Sequence, residues 1–161
     1  MNNSSEQNIA TAIFAAGCFW GIQLLFHKTA GVKDTSVGYI GGDLANPTYR
    51  QVCGGDTNHA EAVMIKYDPQ EISYRQLLDI FWDCHDPTSL NRQGPDMGSQ
   101  YRSAVFYTDD EQRQQTEDSK DALDKSGKYE SPIVTQIAAA PEYYPAEDYH
   151  QHYILKKRGE L

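Results

Sequence analysis

The sequence predicts an α/β fold of the α+β kind: a two-layer sandwich in which helices cover one face of a mixed sheet. Three observations lead to this prediction. Short apolar runs end at glycine, which is typical of buried strands. Segments with apolar residues at helical spacing lie between these runs, and two segments begin with capping-box residues. The elements follow the order strand, helix, strand, strand, helix, strand.

The first part of the chain predicts a strand–helix–strand unit. Residues 9–17 form a short apolar run ended by glycine, and apolar residues at helical spacing follow. Residues 34–40 predict a second strand, which two glycines stop. Residues 41–58 are rich in Gly, Asn, Asp and Thr. We therefore expect a long loop there, and such a loop in a compact domain is usually functional or mobile.

The middle of the chain predicts a third strand and a second helix. Alanine and methionine alternate with Glu61 and larger apolar residues in the strand at residues 59–69. Ser73 and Gln76 have the spacing of a capping box, which satisfies two free backbone donors where a helix begins. A second irregular stretch, residues 85–102, leads to a fourth strand at residues 103–108.

The last part of the chain predicts a polar helix, a strand and a tail. Thr108 and Glu111 have capping-box spacing, and the helix ends near Gly127. Residues 133–140 predict a last strand, and an irregular tail with many aromatic residues follows. The complete order matches a ferredoxin-like split βαβ core.

The composition predicts one globular domain, residues 1–161, with residues 1–8 flexible. Hydrophobic residues make up 39% of the chain and charged residues 23%, which excludes a disordered protein. The formal charge of −9 repels phosphate backbones, so we expect no nucleic-acid partner. No apolar run is long enough to cross a bilayer, and the polar start MNNSSEQN has no secretory-signal pattern. We expect no membrane association and a cytoplasmic location.

Cys18 is the first candidate for a functional residue. The three cysteines are too few for a disulfide scaffold, which leaves reactive, redox or metal roles open. Cys18 lies where the first strand meets the first helix, and a helix N-terminus there favours a thiolate. Phe19 and Trp20 beside it supply an apolar wall for a methyl or thioether group. The alternative is that all three residues are packed in the core.

The two irregular stretches hold polar groups beside aromatic ones, as loops that build a site do. These groups are Tyr49, His59, Glu61, Asp96, Gln100 and Tyr101. Glu61 stands in a strand that is otherwise apolar. If it is buried near a thiolate, its pKa rises and it can donate a proton at neutral pH. The alternative is that Glu61 lies on the solvated face of an ordinary alternating strand.

A series of short motifs carries a family resemblance. They are GCFWG at residues 17–21, followed in order by GYIGG, TYRQVCGG, HAEAV, HDPT, RQG, DMGSQYRSA and PAEDYHQHY. Over about residues 9–153 the chain resembles the peptide methionine sulfoxide reductase A family. The resemblance implies a single catalytic domain with a two-layer α/β fold. It also implies reduction of the S epimer of methionine sulfoxide, free or in proteins, and so the repair of oxidised proteins.

The resemblance also assigns roles to individual residues. Cys18 in GCFWG matches the family nucleophile, which becomes a sulfenic acid. Phe19 and Trp20 match the aromatic walls around the sulfoxide methyl group. Glu61 in HAE matches the proton donor to the sulfoxide oxygen, since oxide is a poor leaving group until it is protonated.

The remaining roles concern the sulfoxide oxygen and the surroundings of the site. Tyr49 in TYR and Tyr101 in QYR match the hydroxyls that hydrogen-bond the oxygen. Asp96 in DMG matches the acidic residue that helps to organise the site. The chemistry implied by the resemblance needs no bound metal or organic cofactor.

Four positions depart from the family pattern or bear on how the thiol is regenerated. No cysteine follows Cys84, so we expect no C-terminal resolving-cysteine tail. Cys53 is a possible resolving thiol, although we expect a bystander, and Cys84 is expected to be a packed thiol on an apolar helix face. The hypothesis is a single-cysteine reductase whose sulfenate is reduced by thioredoxin or by glutathione with glutaredoxin. Gln23 replaces a common glutamate, and Asn58 replaces a common glycine.

Three other functions remain as alternatives. A thiol peroxidase would use Cys18, but it gives no role to the aromatic pair or to Glu61. A catalytically weakened binder of oxidised methionine has Gln23 as its one sequence hint. A metal-binding module is the third, although the spacings lack CxxC or HxxxH pairs and we expect no metal. Its candidate ligands are Cys53, His59, Cys84, His85, His150 and His152.

Overall fold

The computed structural model describes residues 8–161, and the predicted flexibility of residues 1–8 lies almost wholly outside that range. In chain order the strands and helices are β1 (Ala10–Ala16), α1 (Phe19–His27), β2 (Val32–Ile40), α2 (Tyr49–Cys53), β3 (Ala60–Tyr67), α3 (Tyr74–Asp83), β4 (Arg92–Gln93), β5 (Asp96–Met97), β6 (Ser103–Tyr107), α4 (Asp110–Lys125), β7 (Gln136–Ala139), β8 (Tyr143–Pro145) and α5 (Tyr153–Lys157). Two 3₁₀ turns, Ser99–Tyr101 and Asp148–His150, complete the set.

The large sheet has the strand order β7-β6-β1-β3-β2-β8. Its four central strands, β6, β1, β3 and β2, pair antiparallel with one another. β3 therefore lies between β1 and β2, and β1 lies between β3 and β6, so both βαβ units are split as predicted. At the edges β7 pairs in parallel with β6, and β8 pairs antiparallel with β2. The predicted two-layer α+β fold with a mixed sheet is confirmed.

The main core lies between the sheet and the helices. On the sheet side Phe14 and Ile65 are fully buried, and on the helix side Leu77 and Phe81 are fully buried against the same cluster. The opposite face of the sheet carries a smaller cluster made mainly of alanine side chains with Phe106. The sizes of the side chains therefore distinguish the two faces. Within residues 8–161 no helix combines the length and apolar character that crossing a bilayer requires.

Several short elements were not predicted. The stretch at residues 41–58 contains α2, which begins with its own capping box between Thr48 and Gln51. The stretch at residues 85–102 contains the β4–β5 hairpin. The tail contains β8 and α5, and the last predicted strand is shorter than residues 133–140. Strands of two to four residues and one-turn helices carry little periodicity, so tertiary contacts decide them.

The capping residue of α4 was predicted one position too early. Asp109 is the N-cap, and its carboxylate accepts the backbone N–H of Gln112 at 2.8 Å. The side-chain oxygen of Gln112 accepts the backbone N–H of Thr108 at 2.9 Å. Gln112 is buried and also donates to the Thr11 carbonyl of β1 at 2.8 Å. This contact between Gln112 and β1 fixes where α4 begins. In α3, the predicted capping box between Ser73 and Gln76 is confirmed.

The α4 cap gives a test of this correction. Asp109→Ala should lower the free energy of unfolding by about 1 kcal/mol, because the N–H of Gln112 loses its acceptor. Thr108→Ala is the matched control and should change it by less than about 0.5 kcal/mol. Urea unfolding of both variants measures the difference. An equal or larger loss for Thr108→Ala would restore the original prediction.

Candidate active site

Cys18 lies at the junction between β1 and α1, where Gly17 turns the chain. Gly17 has a φ of 97°, a left-handed conformation that favours glycine. A Cβ at this position would come within 2.9 Å of the Gln93 side chain. Cys18 is the N-cap residue of α1, and it is half-buried. The turn therefore places the thiol at the end of the sheet, beside the first backbone N–H groups of the helix.

The pKa of the Cys18 thiol is raised above its ordinary value. Burial is the largest cause, and the charges of Glu61 and Asp96 also raise the pKa. The backbone N–H groups of Trp20 and Gly21 lower it, as a helix N-terminus is expected to do. They do not offset the burial. The sequence indicated only the lowering effect, because the depth of burial is not visible in the residue pattern.

Glu61 is buried on β3, with an exposed fraction of 1%. It lies on the helix-covered face with Val63 and Ile65, so it is not on a solvated face. Its Oε1 accepts the backbone N–H of Phe19 at 3.4 Å, and its Oε2 accepts an N–H of Gln100 at 3.0 Å. Burial raises the pKa of Glu61 to about 7, although both donors lower it. The carboxyl group can therefore hold a proton at neutral pH.

Tyr49 and Tyr101 are the two predicted hydroxyl donors. Burial raises the pKa of Tyr101 to about 12, and the charge of Glu61 contributes. Burial, the Cys53 thiol and the charge of Glu61 raise the pKa of Tyr49 further. The backbone N–H of Tyr49 donates to Glu147 at 2.8 Å, which fixes the start of α2. Both hydroxyls keep their protons at neutral pH and can donate hydrogen bonds.

Asp96 acts on the site through its charge. It lies on β5, directly before the 3₁₀ turn that carries Gln100 and Tyr101. Its carboxylate raises the pKa of both Glu61 and Cys18. Asp96 thus helps to keep Glu61 and Cys18 protonated. The turn that follows it brings Gln100 and Tyr101 to the site.

The aromatic pair Phe19 and Trp20 occupies two different environments. Phe19 is 1% exposed and packs on the rings of Tyr49 and His150, at centroid distances of 6.5 and 5.3 Å. Trp20 is half-buried, and its indole N–H donates to Nδ1 of His150 at 2.9 Å. Its ring stacks on Tyr153 at 3.9 Å with an interplanar angle of 12°. Trp20 therefore borders solvent, whereas Phe19 belongs to the core.

Three residues in this arrangement had no predicted role in catalysis. Gln100 is 6% exposed and donates to Glu61. Glu147 accepts from the hydroxyl of Tyr39 and from the backbone of Tyr49, both at 2.8 Å. His150 is fully buried and holds Trp20. All three residues lie in sequence motifs, Gln100 in DMGSQYRSA and the other two in PAEDYHQHY. A motif does not show which residue each side chain contacts.

The two other cysteines lie in different surroundings. Cys53 ends α2, is exposed, and accepts a long hydrogen bond from Gln100 at 3.5 Å. Cys84 caps α3, and its thiol donates to the Phe81 carbonyl at 3.2 Å. Burial raises the pKa of Cys84 to about 12. Cys84 is thus a half-buried thiol that holds its proton at neutral pH, whereas Cys53 has both exposure and a contact with the site.

Gln23 has a structural role that its neutral amide explains. It is 1% exposed, and its NH₂ group lies 3.2 Å from the Thr35 carbonyl and 3.3 Å from the Thr35 hydroxyl. Its oxygen accepts the backbone N–H of His152 at 2.7 Å. A carboxylate would make the last bond but could not donate to the carbonyl. Gln23 therefore joins α1 to β2 and to the chain near His152.

Metal binding finds no support in the arrangement of side chains. Among residues 8–161, no group of three or more His, Cys, Asp and Glu side chains is placed to hold a metal ion. The proposed ligands are instead engaged separately. His59 bonds to Gly42 and Leu44, and His85 bonds to Phe81 and Ser103.

A partly buried thiol beside a carboxyl group that holds its proton near neutrality suits a cysteine-dependent oxidoreductase with acid catalysis. Comparison with known proteins agrees with this class. The model of the family described as peptide methionine sulfoxide reductase matches residues 10–160. The chain belongs to this family, and it is an oxidoreductase that reduces methionine sulfoxide.

Individual relatives are similar over nearly the whole chain. The peptide methionine sulfoxide reductase MsrA of Methanoculleus marisnigri is 51% identical over 96% of this chain and 94% of its own length. That of Methanosarcina acetivorans is 54% identical over 94% and 80%.

Solved structures are similar as well. Mxr1 of Saccharomyces cerevisiae in reduced form has a TM-score of 0.86 and 35% identity, over 96% of this chain and 88% of its own. Methionine sulfoxide reductase A of Corynebacterium diphtheriae has a TM-score of 0.83 and 39% identity, over 94% and 76%.

The burial of Glu61 should make stability depend on pH. Its pKa is about 7 in the folded chain against an ordinary 4.5, so the folded state holds the proton more tightly. This contribution to the free energy of unfolding is complete below about pH 4.5 and is lost as the pH rises to about 7. The free energy of unfolding of the wild type, relative to Glu61→Gln, should fall over this window and then stay level. Urea unfolding across the window measures it.

Glu71→Gln is the matched control for that measurement. Glu71 is about half exposed and pairs with Lys33, so its variant should follow the wild type at every pH. If the free energies of unfolding of the wild type and Glu61→Gln differ by the same amount at every pH, the pKa of Glu61 is not near 7.

Proposed function

We propose that the chain reduces the S epimer of methionine sulfoxide through attack of the Cys18 thiolate on the sulfoxide sulfur. The buried Glu61 carboxyl group carries the proposal, because its pKa of about 7 makes it a proton donor near neutral pH. The hydrogen bond from the backbone of Phe19, the residue after Cys18, and the effect of the Glu61 charge on the pKa of Cys18 support this role. A cysteine peroxidase has no need for such a donor next to an aromatic wall.

The proposed reaction transfers two electrons from one sulfur to the other. Cys18 attacks the sulfoxide sulfur as Glu61 protonates the oxygen, and a sulfur–sulfur bond forms. The hydroxyl group then moves to the Cys18 sulfur as the sulfur–oxygen and sulfur–sulfur bonds to the substrate sulfur break, which releases methionine. The net change is thiol plus sulfoxide to sulfenic acid plus thioether, so oxygen and protons balance. The N–H groups of Phe19 and Gln100 then stabilise the Glu61 carboxylate, because both lower its pKa. Glu61 can thus hold a proton before the reaction and release it during the reaction.

The other residues of the site would hold the substrate. The protonated hydroxyls of Tyr49 and Tyr101 donate to the sulfoxide oxygen as charge builds on it. Trp20, which is half-buried, forms the wall against the sulfoxide methyl group, and Phe19 supports that wall from the core. Asp96 keeps the surroundings negative, so it favours the protonated form of Glu61.

Regeneration of Cys18 is proposed to use an external thiol. The cysteines of the described residues are all free, and the thiol of the half-buried Cys84 donates to the Phe81 carbonyl. Yeast Mxr1, whose reduced form is 35% identical to this chain, has a solved structure in complex with Trx2. Thioredoxin, or glutathione with glutaredoxin, is therefore the proposed class of reductant. Free thiols also suit the reducing conditions of the cytoplasm, which stays the predicted location.

A single-turnover experiment tests this route. Reduced protein mixed with methionine S-sulfoxide, without any reductant, should form about one equivalent of methionine and a trappable sulfenic acid on Cys18. Cys53→Ser should give the same yield, because no internal thiol is needed. Mass spectrometry of Cys18 follows its state. A Cys18–Cys53 disulfide in place of the sulfenic acid in the wild type, with the sulfenic acid trapped only in Cys53→Ser, would instead make Cys53 a resolving thiol, while the methionine yield stays near one equivalent in both.

The role of Glu61 is tested by its rate. Glu61→Gln should slow the single-turnover formation of methionine about 10²- to 10⁴-fold, the usual contribution of a positioned general acid. The amide keeps the volume and the acceptor oxygen but has no acidic proton. Glu71→Gln should react at the wild-type rate. A loss of less than about threefold in Glu61→Gln would remove Glu61 from the mechanism.

A further inference from the structure

Gln93 joins three parts of the chain that meet beside Cys18. It is the second residue of β4, and it pairs with Asp96 in the β4–β5 hairpin. Its half-buried side chain contacts both the chain after α3 and the β1–α1 turn. Gln93 lies in the RQG motif, and the proposed mechanism gives it no role.

The amide of Gln93 binds the backbone of Asp86 in both directions. Its Oε1 accepts the Asp86 N–H at 3.0 Å, and its Nε2 donates to the Asp86 carbonyl at 2.8 Å. The chain at this point is itself fixed, because the carbonyl of Pro87 accepts the backbone N–H of Val134 at 2.9 Å. The two bonds of the Gln93 amide therefore tie the hairpin to a part of the chain that other contacts hold in place.

The stem of Gln93 lies against Gly17, the residue before Cys18. An added Cβ on Gly17 would come within 2.9 Å of the Gln93 Cγ and 3.1 Å of the Gln93 Cβ. The stem thus occupies the space that a side chain at residue 17 would need, so its close approach requires glycine there. The left-handed φ of 97° is a separate reason for glycine at this position. The side chain of Gln93 therefore packs directly on the turn that presents the thiol.

The hairpin that Gln93 ties down leads to residues that the proposed mechanism uses. Asp96 lies opposite Gln93 in the hairpin, and Gln100 and Tyr101 follow in the 3₁₀ turn. A pair of two-residue strands is too short to be stable by itself. Its place relative to Cys18 therefore depends on side-chain contacts, and Gln93 supplies such contacts on two sides.

We propose that Gln93 is a positioning residue that fixes the distance between the Cys18 turn and the β4–β5 hairpin. The proposal rests on the roles given to Cys18 and Tyr101 under Proposed function. The amide fixes the hairpin and the stem contacts the turn, so one side chain sets the separation between the nucleophile and a donor to the sulfoxide oxygen. A displacement of about 1 Å can cost about 100-fold in rate, so loss of Gln93 slows the chemical step more than it weakens substrate binding.

Two variants of Gln93 separate its two contacts. Gln93→Ala removes the amide and most of the stem, whereas Gln93→Met keeps an unbranched stem of similar length without the amide. For each variant we would measure the single-turnover rate of methionine formation over a range of methionine S-sulfoxide concentrations, which separates the maximal rate from substrate binding. Alkylation of Cys18 by iodoacetamide, followed by mass spectrometry, reports on the thiol without substrate.

Gln93→Ala should lower the maximal rate about tenfold or more, with less than about a threefold change in the half-saturating concentration of sulfoxide. It should also speed the alkylation of Cys18 about threefold at neutral pH, because the thiol loses part of its cover and the charge of Asp96 moves away. Gln93→Met should recover part of both effects. Gln76→Ala is the matched control, since the Gln76 amide also bonds to the backbone, at the start of α3. It should lower Tm without changing the rate of either reaction.

A double-mutant cycle tests the contact with Gly17. Gly17→Ala should slow methionine formation in the wild type, and its effect should be at least about threefold smaller in the Gln93→Ala background, where the added methyl group meets no Cγ. The strain of alanine at a φ of 97° is the same in both backgrounds and cancels in the cycle. Equal losses in the two backgrounds would overturn the proposal. If Gly17→Ala fails to fold, the rates of Gln93→Ala and Gln93→Met decide the question.

Tyr101→Phe separates this proposal from the proposed function. If Tyr101→Phe leaves the single-turnover rate unchanged, the role of Tyr101 is wrong and the positioning proposal is overturned with it. If Tyr101→Phe slows the reaction but Gln93→Ala does not, only the positioning proposal is overturned. Equal slowing by Gln76→Ala and Gln93→Ala would overturn it as well, because a general loss of stability would then explain both.

Discussion

The site depends on one constraint, the burial of the Glu61 carboxyl group between a sheet and the helices that cover it. A carboxylate in that position would lose its solvation, so the group shifts its pKa toward neutrality instead of ionising fully. Two donors, the backbone of Phe19 and the amide of Gln100, limit the shift. The fold must therefore bring the start of α1 and the turn after β5 to the same strand. Most other features of the site follow from this requirement.

The same burial acts on the thiol and creates a tension. Cys18 has the helix N-terminus that should favour a thiolate, yet burial and the nearby charges of Glu61 and Asp96 raise its pKa. The pKa values of Glu61 and Cys18 are thus both higher in the site than in water, so both groups hold their protons more tightly. In the proposed mechanism this is consistent, because the thiol must lose its proton while the sulfoxide oxygen gains one. Positioning of the two groups matters more than a permanently ionised thiol.

The parts of the site come from separate connections around one end of a regular sheet. The β1–α1 turn supplies the thiol, α2 supplies Tyr49, and the turn after β5 supplies Gln100 and Tyr101. Residues 147–152 then join these pieces by hydrogen bonds to β2, α1 and α2. The antiparallel pairing of the central strands fixes the positions of the strand ends from which these connections start. The rigid sheet therefore allows irregular loops to hold precise groups.

The sequence by itself determined the order of the main strands and helices, because periodicity and capping residues are local signals. Its motifs also identified the family and singled out Cys18 and Glu61 as candidates. Only the tertiary structure decided which face Glu61 occupies, how far burial outweighs the helix N-terminus at Cys18, and that Asp109 caps α4. It also decided that Gln100 and His150 contact Glu61 and Trp20, which are 39 and 130 positions away. Burial and such contacts depend on how distant segments pack, and no local pattern of residues records that.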